Sequence, residues 1–280
     1  MKCGNPADDR AAIILETRID ALGMDEVLDR AEAMIAGPHP CHIITANVDH
    51  VVGNHRRPSL RAIFARAALT VPDGVPLLWA ARLLKTPLAG RVNGTDLMER
   101  LGDLAARKGF SIFLLGGRAG SAAAASRRLQ ERFPGLRICG HCAPHLGFEE
   151  RLAENDALRV LLRKKRPHIL FVSLGYPKGI RWIDENQAAC GIPLAIEVGG
   201  SFRYVAGEMR RAPRWMQRHG LEWLWRLGHE PRRLWKRYLL RDLPFFYYLL
   251  RQVWAQTAPG ANEPRAAASV EIGEEGLTRP

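Results

Sequence analysis

Asp73 stands in Val-Pro-Asp-Gly, after an apolar run and before a glycine. A carboxylate at a strand end can project into a cleft and take a proton from an attacking hydroxyl as a general base. The same spacing suits a turn aspartate that caps the next helix, and spacing alone favours that cap. Leu114–Ser121 reads as a strand, a glycine turn at Gly116 and Gly117, and a helix start. Such a turn can hold a phosphate on backbone N–H groups, but it departs from the full dinucleotide pattern G-x-G-x-x-G. Cys139-Gly140-His141-Cys142, with His145 nearby, has the residue types of a redox pair or a metal site. No helix starts at Cys142, adjacent His141 and Cys142 splay apart, and no second ligand pair follows, so structural cysteines are the better reading. No Asp-x-Asp follows a strand, so no metal site is expected. Cations for a phosphate would then come from side chains. The late arginines are the supply, and Glu222 and Glu230 among them read as ion-pair partners that orient them.

Chemistry of this kind needs a frame. Ile43–Val48, Ile112–Leu115, Ile169–Leu174 and Leu194–Val198 are short apolar runs, β-branched or aromatic, each ending in turn formers. They read as buried parallel strands. Helical patterns lie between them at Asp96–Lys108, Ala122–Phe133 and Ala153–Lys164. The alternation predicts an α/β fold, a mostly parallel sheet flanked by helices. Ligands in such sheets bind beyond the carboxyl ends of the strands. Those ends are Thr45-Ala46-Asn47, Val71-Pro72-Asp73-Gly74, Leu115-Gly116-Gly117, Leu174-Gly175-Tyr176-Pro177-Lys178 and Val198-Gly199-Gly200-Ser201.

The chain has 280 residues, 47% hydrophobic and 25% charged, and a formal charge of +12. That is long enough for a substantial core and excludes a wholly disordered chain. The positive charge is concentrated: Arg203–Arg241 holds eleven Lys/Arg against three Glu. Five of the seven tryptophans fall within 215–254, interleaved with those cations, and the pattern predicts amphipathic helices with a break near Gly228 and Pro231. We therefore divide the chain into a core (1–202), a basic-aromatic helical appendage (203–254) and a disordered tail (255–280). No run reaches the roughly 18 apolar residues of a membrane span, and no leader is visible. Five cysteines without framework spacing fit reduced thiols, and the expected location is cytoplasmic, peripheral to a membrane.

The ordered blocks TANVDHVV (45–52), VPDGVPLLWAARLL (71–84), RVNGTDL (91–97), FLLGG (113–117), ILFVSLGYPK (169–178), VGGSFRYVAGEMRRAP (198–213) and GLEWLWRLGHEPRRLWKRYL (220–239) resemble the WecG/TagA/CpsF group, glycosyltransferase family 26. The resemblance covers about residues 10–241. It implies a Rossmann-like fold and an inverting, metal-independent hexosyl transfer without a cofactor. The implied donor is a UDP-sugar (N-acetylmannosamine, its uronic acid, or glucose). The implied acceptor is a polyprenyl-pyrophosphate-linked saccharide of cell-surface or exopolysaccharide synthesis. It also implies an appendage that docks on an anionic membrane and completes the active site. Oligomeric state is left open.

By position, the resemblance makes Asp73 the base, reversing the reading from spacing. It sets Thr45, Asn47 and Arg91 beside Asp73. It assigns Gly94, Asp96, Gly116, Gly117, Gly175, Pro177, Lys178, Gly199 and Gly200 to the nucleotide sugar. Arg211, Arg214, Arg226, Arg232, Arg233 and Arg237 become the cations for diphosphate and acceptor. Two departures stand out. Gly179-Ile180 replaces the Gln-Glu that follows Pro-Lys in the family, and Arg203 replaces the Asp that follows Gly-Gly-Ser-Phe. Both changes point to a divergent donor specificity. A nucleic-acid-binding protein and a nicotinamide oxidoreductase are the rivals. The first leaves the strand-end turns unexplained. The second lacks the full glycine pattern and has Arg137 where a ribose-binding acid belongs. No nucleic-acid partner is expected.

Overall fold

The computed structural model describes residues 10–257. Its centre is a six-stranded sheet: β3 (Cys41–Ala46), β4 (Leu69–Pro72), β5 (Ser111–Gly116), β6 (Arg137–Cys142), β7 (Ile169–Ser173) and β8 (Leu194–Glu197). The order is β4-β3-β8-β7-β5-β6, with every pair parallel. All six carboxyl ends therefore share one edge, and Asp73 follows the strand at one margin. Helices cover both faces in a Rossmann-like arrangement, as the alternation predicts.

Side-chain alternation builds the core. Ile43, Ile112, Leu114, Phe171 and Ile196 point to one face, against helices 24–36, 94–108 and 121–132. Ile44 and Ala46 point to the other face, against helices 48–56, 58–66 and 75–83. On that same face Phe113, Leu115, Leu170 and Val172 meet helices 152–165 and 178–190. Both faces are covered, which is why the strands read as unbroken apolar runs.

Among the strands, two features escape the sequence reading. One is β6. The other is an antiparallel hairpin of β1 (Ala11–Ile14) and β2 (Thr17–Asp20), turned by Leu15 and Glu16 at φ 45° and 65°. Two successive positive φ values give the turn the twist a two-residue hairpin needs. Cys139 and Cys142 are free thiols packed on the Phe113 cluster, and burial pushes both above the usual thiol range.

Residues 203–254 form short helices (201–205, 214–218, 222–229, 231–236), a π-helical turn (237–242) and a longer helix, Pro244–Thr257. That last helix lies on the core. Phe245 and Leu249 are buried in the cluster of Ile14, Ile44 and Val51. Gln252 takes the Leu15 N–H on Oε1 at 3.0 Å and donates Nε2 to the Ile13 carbonyl at 2.8 Å. Its opposite side leaves Phe246, Tyr247, Leu250 and Trp254 exposed. Among the described residues no helix is long and apolar enough to cross a membrane. The tail expected at 255–280 lies outside the described residues from 258 onward; 255–257 finish the helix.

Candidate active site

Asp73 extends the β3–β4 ladder by one step: its N–H donates to the Ala46 carbonyl at 2.7 Å. One residue on, the chain enters helix 75–83. The loop after that helix returns to the same place, where the Val92 N–H donates to the Pro72 carbonyl at 2.8 Å. This return brings Arg91 beside Asp73. From Asp73 the strand ends run in spatial order: Asn47 after β3, Gly199–Gly200 after β8, Gly175 after β7, then Gly116–Gly117 at β5.

Burial is the main force on the Asp73 carboxyl and raises it from 3.8 to about 6. Arg91, Arg226 and His50 pull it down, and Glu222 pushes it up. A carboxylate held near neutrality is suited to accept a proton, because it is ionised at pH 7 yet basic enough to compete for one.

The glycines have steric reasons. Gly116 sits at φ 98°, and a Cβ there would lie 2.6 Å from the Ser173 carbonyl oxygen. Gly94 starts helix 94–108 against β8; a Cβ would lie 3.1 Å from the Val198 oxygen. Thr95 and Ser201 hydroxyls bond at 3.0 Å across that contact. Helix 94–108 is capped by Asn93, whose Oδ1 accepts the Asp96 N–H at 2.8 Å.

The other expected site residues divide by their partners. The Thr45 hydroxyl donates to the Glu197 carbonyl at 2.9 Å, inside the sheet. Asn47 caps helix 48–56, its Oδ1 accepting the N–H groups of Asp49 and His50. Arg91 Nη1 binds Glu222 Oε2 at 2.7 Å. Arg211 grips Asp96 through both guanidinium terminal nitrogens, so these two hold the appendage to helix 94–108. Lys178 pairs with Glu149, and Pro177 precedes its helix. Arg203 pairs with Glu230 at 2.7 Å, which ties the departure from the family pattern to the appendage.

Among the described appendage cations, Arg226 acts on the Asp73 carboxyl. Its guanidinium lies over the Tyr204 ring at 5.9 Å, and its Nε is buried without a hydrogen-bond partner. A Cβ on Gly200 would be 4.0 Å from its Nη2. Arg214 and Arg232 are exposed. The side chains of Arg233 and Arg237 lie outside the described residues.

One buried pair was missed. His50 Nε2 lies 3.5 Å from Glu197 Oε2, both side chains almost fully enclosed. His50 Nδ1 contacts Asn47 Oδ1 at 3.0 Å, and Tyr176 stacks on the imidazole at 4.3 Å. Glu197 Oε1 accepts the Gly199 N–H at 3.2 Å, and a Cβ on Gly179 would meet Glu197 Cγ at 2.8 Å. The pair thus braces Asn47, the Tyr176 turn and the Gly199 turn together. The available signal was a glutamate inside Leu194–Val198, since a charge in a buried strand demands a partner.

Among the described residues no three His, Cys, Asp or Glu side chains cluster as a metal site would require. The model of the Glycosyl transferase WecG/TagA/CpsF family matches residues 12–259. A Bacillus spizizenii protein named N-acetylglucosaminyldiphosphoundecaprenol N-acetyl-beta-D-mannosaminyltransferase is 30% identical over 197 residues, covering 70% of this chain and 74% of its own. A Staphylococcus aureus (strain MW2) protein of the same name is 28% identical over 240 residues, covering 82% and 91%.

Proposed function

The chain belongs to the WecG/TagA/CpsF family of glycosyl transferases, and from that premise we propose that it moves a hexosyl group from a UDP-sugar to a polyprenyl-diphosphate-linked saccharide, with Asp73 as general base. The relatives' names supply the acceptor class and make N-acetylmannosamine the first donor to test. The observation that carries the reading is the Asp73 carboxyl, raised to about 6 at a strand end and flanked by Arg91 and Arg226.

The reaction is a single displacement that inverts the anomeric centre. Asp73 takes the proton of the acceptor hydroxyl as its oxygen attacks the anomeric carbon. The bond to the UDP oxygen breaks on the opposite side, and the leaving diphosphate gains charge. Arg226, half-buried beside the Gly200 turn with an enclosed Nε that has no hydrogen-bond partner among the described residues, suits that developing charge. The turns at Gly116, Gly175 and Gly199 allow the nucleotide to approach the backbone closely. Asn47 and Arg91 orient the reacting groups, and Thr45 fixes the strand beneath them. Guanidinium groups take the part a divalent ion would otherwise play, so the transfer is metal-independent. The exposed aromatic side of residues 203–257 rests on the anionic cytoplasmic face of the membrane, where the acceptor is held.

The test is a panel of UDP-sugars against a polyprenyl-diphosphate-linked N-acetylglucosamine acceptor, with and without chelator. Transfer that survives chelation, inverts configuration and is lost in Asp73→Asn is the expected result. Full transfer by folded Asp73→Asn removes Asp73 from the base role.

A further inference from the structure

The donor turns all lie on one side of Asp73, because β4 is the margin of the sheet. On the other side, against helix 75–83, is a cleft of about 460 Å³ lined by Val75, Trp79, Arg82, Arg91, Arg214 and Gln217. We propose that this cleft is the acceptor subsite, with Arg82 and Arg214 holding the acceptor's diphosphate and Trp79 receiving the start of its lipid chain. The assignment rests on the transfer reading above and adds to it the residues that select the acceptor.

Three observations converge. The first is position. An inverting displacement brings the hydroxyl to the anomeric carbon from the side opposite the leaving diphosphate. Helix 75–83 begins two residues after Asp73 and lines the cleft together with Arg91, whose charge acts on the Asp73 carboxyl, while neither Gly200 nor Arg226 is among the lining residues. The two diphosphates of the reaction then have separate cations.

The second is charge. Arg91 is engaged by Glu222 and Arg211 by Asp96. Arg82 and Arg214 line the same cleft from two different helices and have no ion pair among the described residues. Two guanidinium forks facing one space match a diphosphate, which offers several acceptor oxygens at short separation.

The third is the apolar margin. Trp79 and Leu83, four residues apart on one helix face, are about half exposed, at 48% and 51%. Trp215, next to Arg214, is 58% exposed. The Gly220 turn packs on Val75 and Trp79 and sets the indole at the rim. Uncompensated apolar surface beside paired cations suits an anion with a long hydrocarbon tail, whereas a nucleotide would leave that surface wet.

The experiment measures acceptor KM, donor KM and UDP affinity separately in Arg82→Ala, Arg82→Lys, Arg214→Ala and Trp79→Ala. Arg82 and Trp79 are exposed, and an unchanged Tm verifies that each variant folds. Losing one charge-assisted contact is expected to raise acceptor KM roughly tenfold in Arg82→Ala and Arg214→Ala. Donor KM and UDP affinity should stay within about twofold, the scatter of a remote change. Arg82→Lys should recover only part of the loss, because ammonium lacks the fork. Trp79→Ala should weaken a polyprenyl-diphosphate acceptor and spare an ethyl-diphosphate analogue. A rise in donor KM with acceptor KM unchanged overturns the assignment, as do four variants that behave like the parent. A binding arm separates the two readings: geranyl diphosphate and inorganic pyrophosphate are titrated into the parent and Arg82→Ala without donor. If the parent transfers no sugar yet geranyl diphosphate binding depends on Arg82, the transfer reading fails and the diphosphate-lipid cleft stands. If binding of neither ligand depends on Arg82, the cleft fails whatever the activity shows.

Discussion

Arg91 Nη1 and Glu222 Oε2 meet at 2.7 Å, joining the loop after helix 75–83 to the appendage directly beside Asp73. The two charges act on the base in opposite directions: Arg91 favours the ionised carboxylate and Glu222 opposes it. Glu222→Gln removes the opposing charge and frees Arg91, so the acidic limb of the kcat/KM profile should move to lower pH. Arg91→Met removes the favourable charge and leaves Glu222 unpaired, so the limb of the residual activity should move to higher pH. Limbs that coincide with the parent's would show that another group titrates.

Asp73 itself predicts a trade between activity and stability. Its native value of about 6 exceeds the ordinary 3.8, so the folded state keeps the proton longer than the unfolded chain. The unfolded state therefore binds fewer protons between these values, and stability falls as pH rises through that window. Asp73→Asn removes the penalty. It should be more stable than the parent by about 1–3 kcal/mol at pH 8, with most of that difference gone by about pH 4. Turnover should fall by about 10²–10⁴ at pH 8. Denaturant melts at both pH values read the first effect and a transfer assay the second.

The parallel sheet was legible because its strands are buried on both faces and bounded by turn residues. The strand ends followed, and with them Asp73, Asn47 and the glycine turns. β6 was missed because a margin strand with exposed Arg137 and His141 carries no unbroken apolar run. The hairpin at 11–20 was missed because Leu15 and Glu16 are not turn-forming types, and its support by Gln252 comes from the far end of the chain. Residue type named Glu222 and Glu230 as partners of the late arginines; Glu230 does pair with Arg203, but Glu222 reaches back to Arg91. Asp96 and Arg211 were both placed in the ligand site, and they bind each other. That distinction depends on tertiary distance, which no local pattern encodes.

The His50–Glu197 pair gives a third prediction. His50 bridges the two strand ends: its Nδ1 lies 3.0 Å from Asn47 Oδ1 and its Nε2 lies 3.5 Å from Glu197 Oε2. Glu197→Ala leaves an enclosed imidazole facing an apolar void and releases the Gly199 turn. Breaking such a pair costs about 3–5 kcal/mol. His50→Leu with Glu197→Leu removes both polar groups, so the double variant should be more stable than Glu197→Ala alone. It should still transfer more slowly than the parent, because Asn47 loses its third contact. Melting curves with single-turnover rates decide; equal melts for the single and double variants would show that the two groups are not coupled.

The appendage calls for point substitutions in place of truncation. Cutting near Ser201 removes Met216, Leu234, Phe245 and Leu249, all of them buried, so loss of activity would report a damaged core. Phe245→Ala alone should cost about 3–5 kcal/mol through the cavity it leaves. Gln252→Ala should cost about 1–3 kcal/mol through two lost bonds and speed amide exchange at Leu15. Phe246, Tyr247 and Trp254 lie on the opposite side of the same helix and are exposed. Replacing these three with serine should leave the melt unchanged and reduce sedimentation with anionic liposomes. Transfer to a detergent-dispersed acceptor should persist, because the cleft beside Asp73 is intact. Liposome binding equal to the parent's would assign membrane contact to another surface, with Trp79, Leu83 and Trp215 the next to replace.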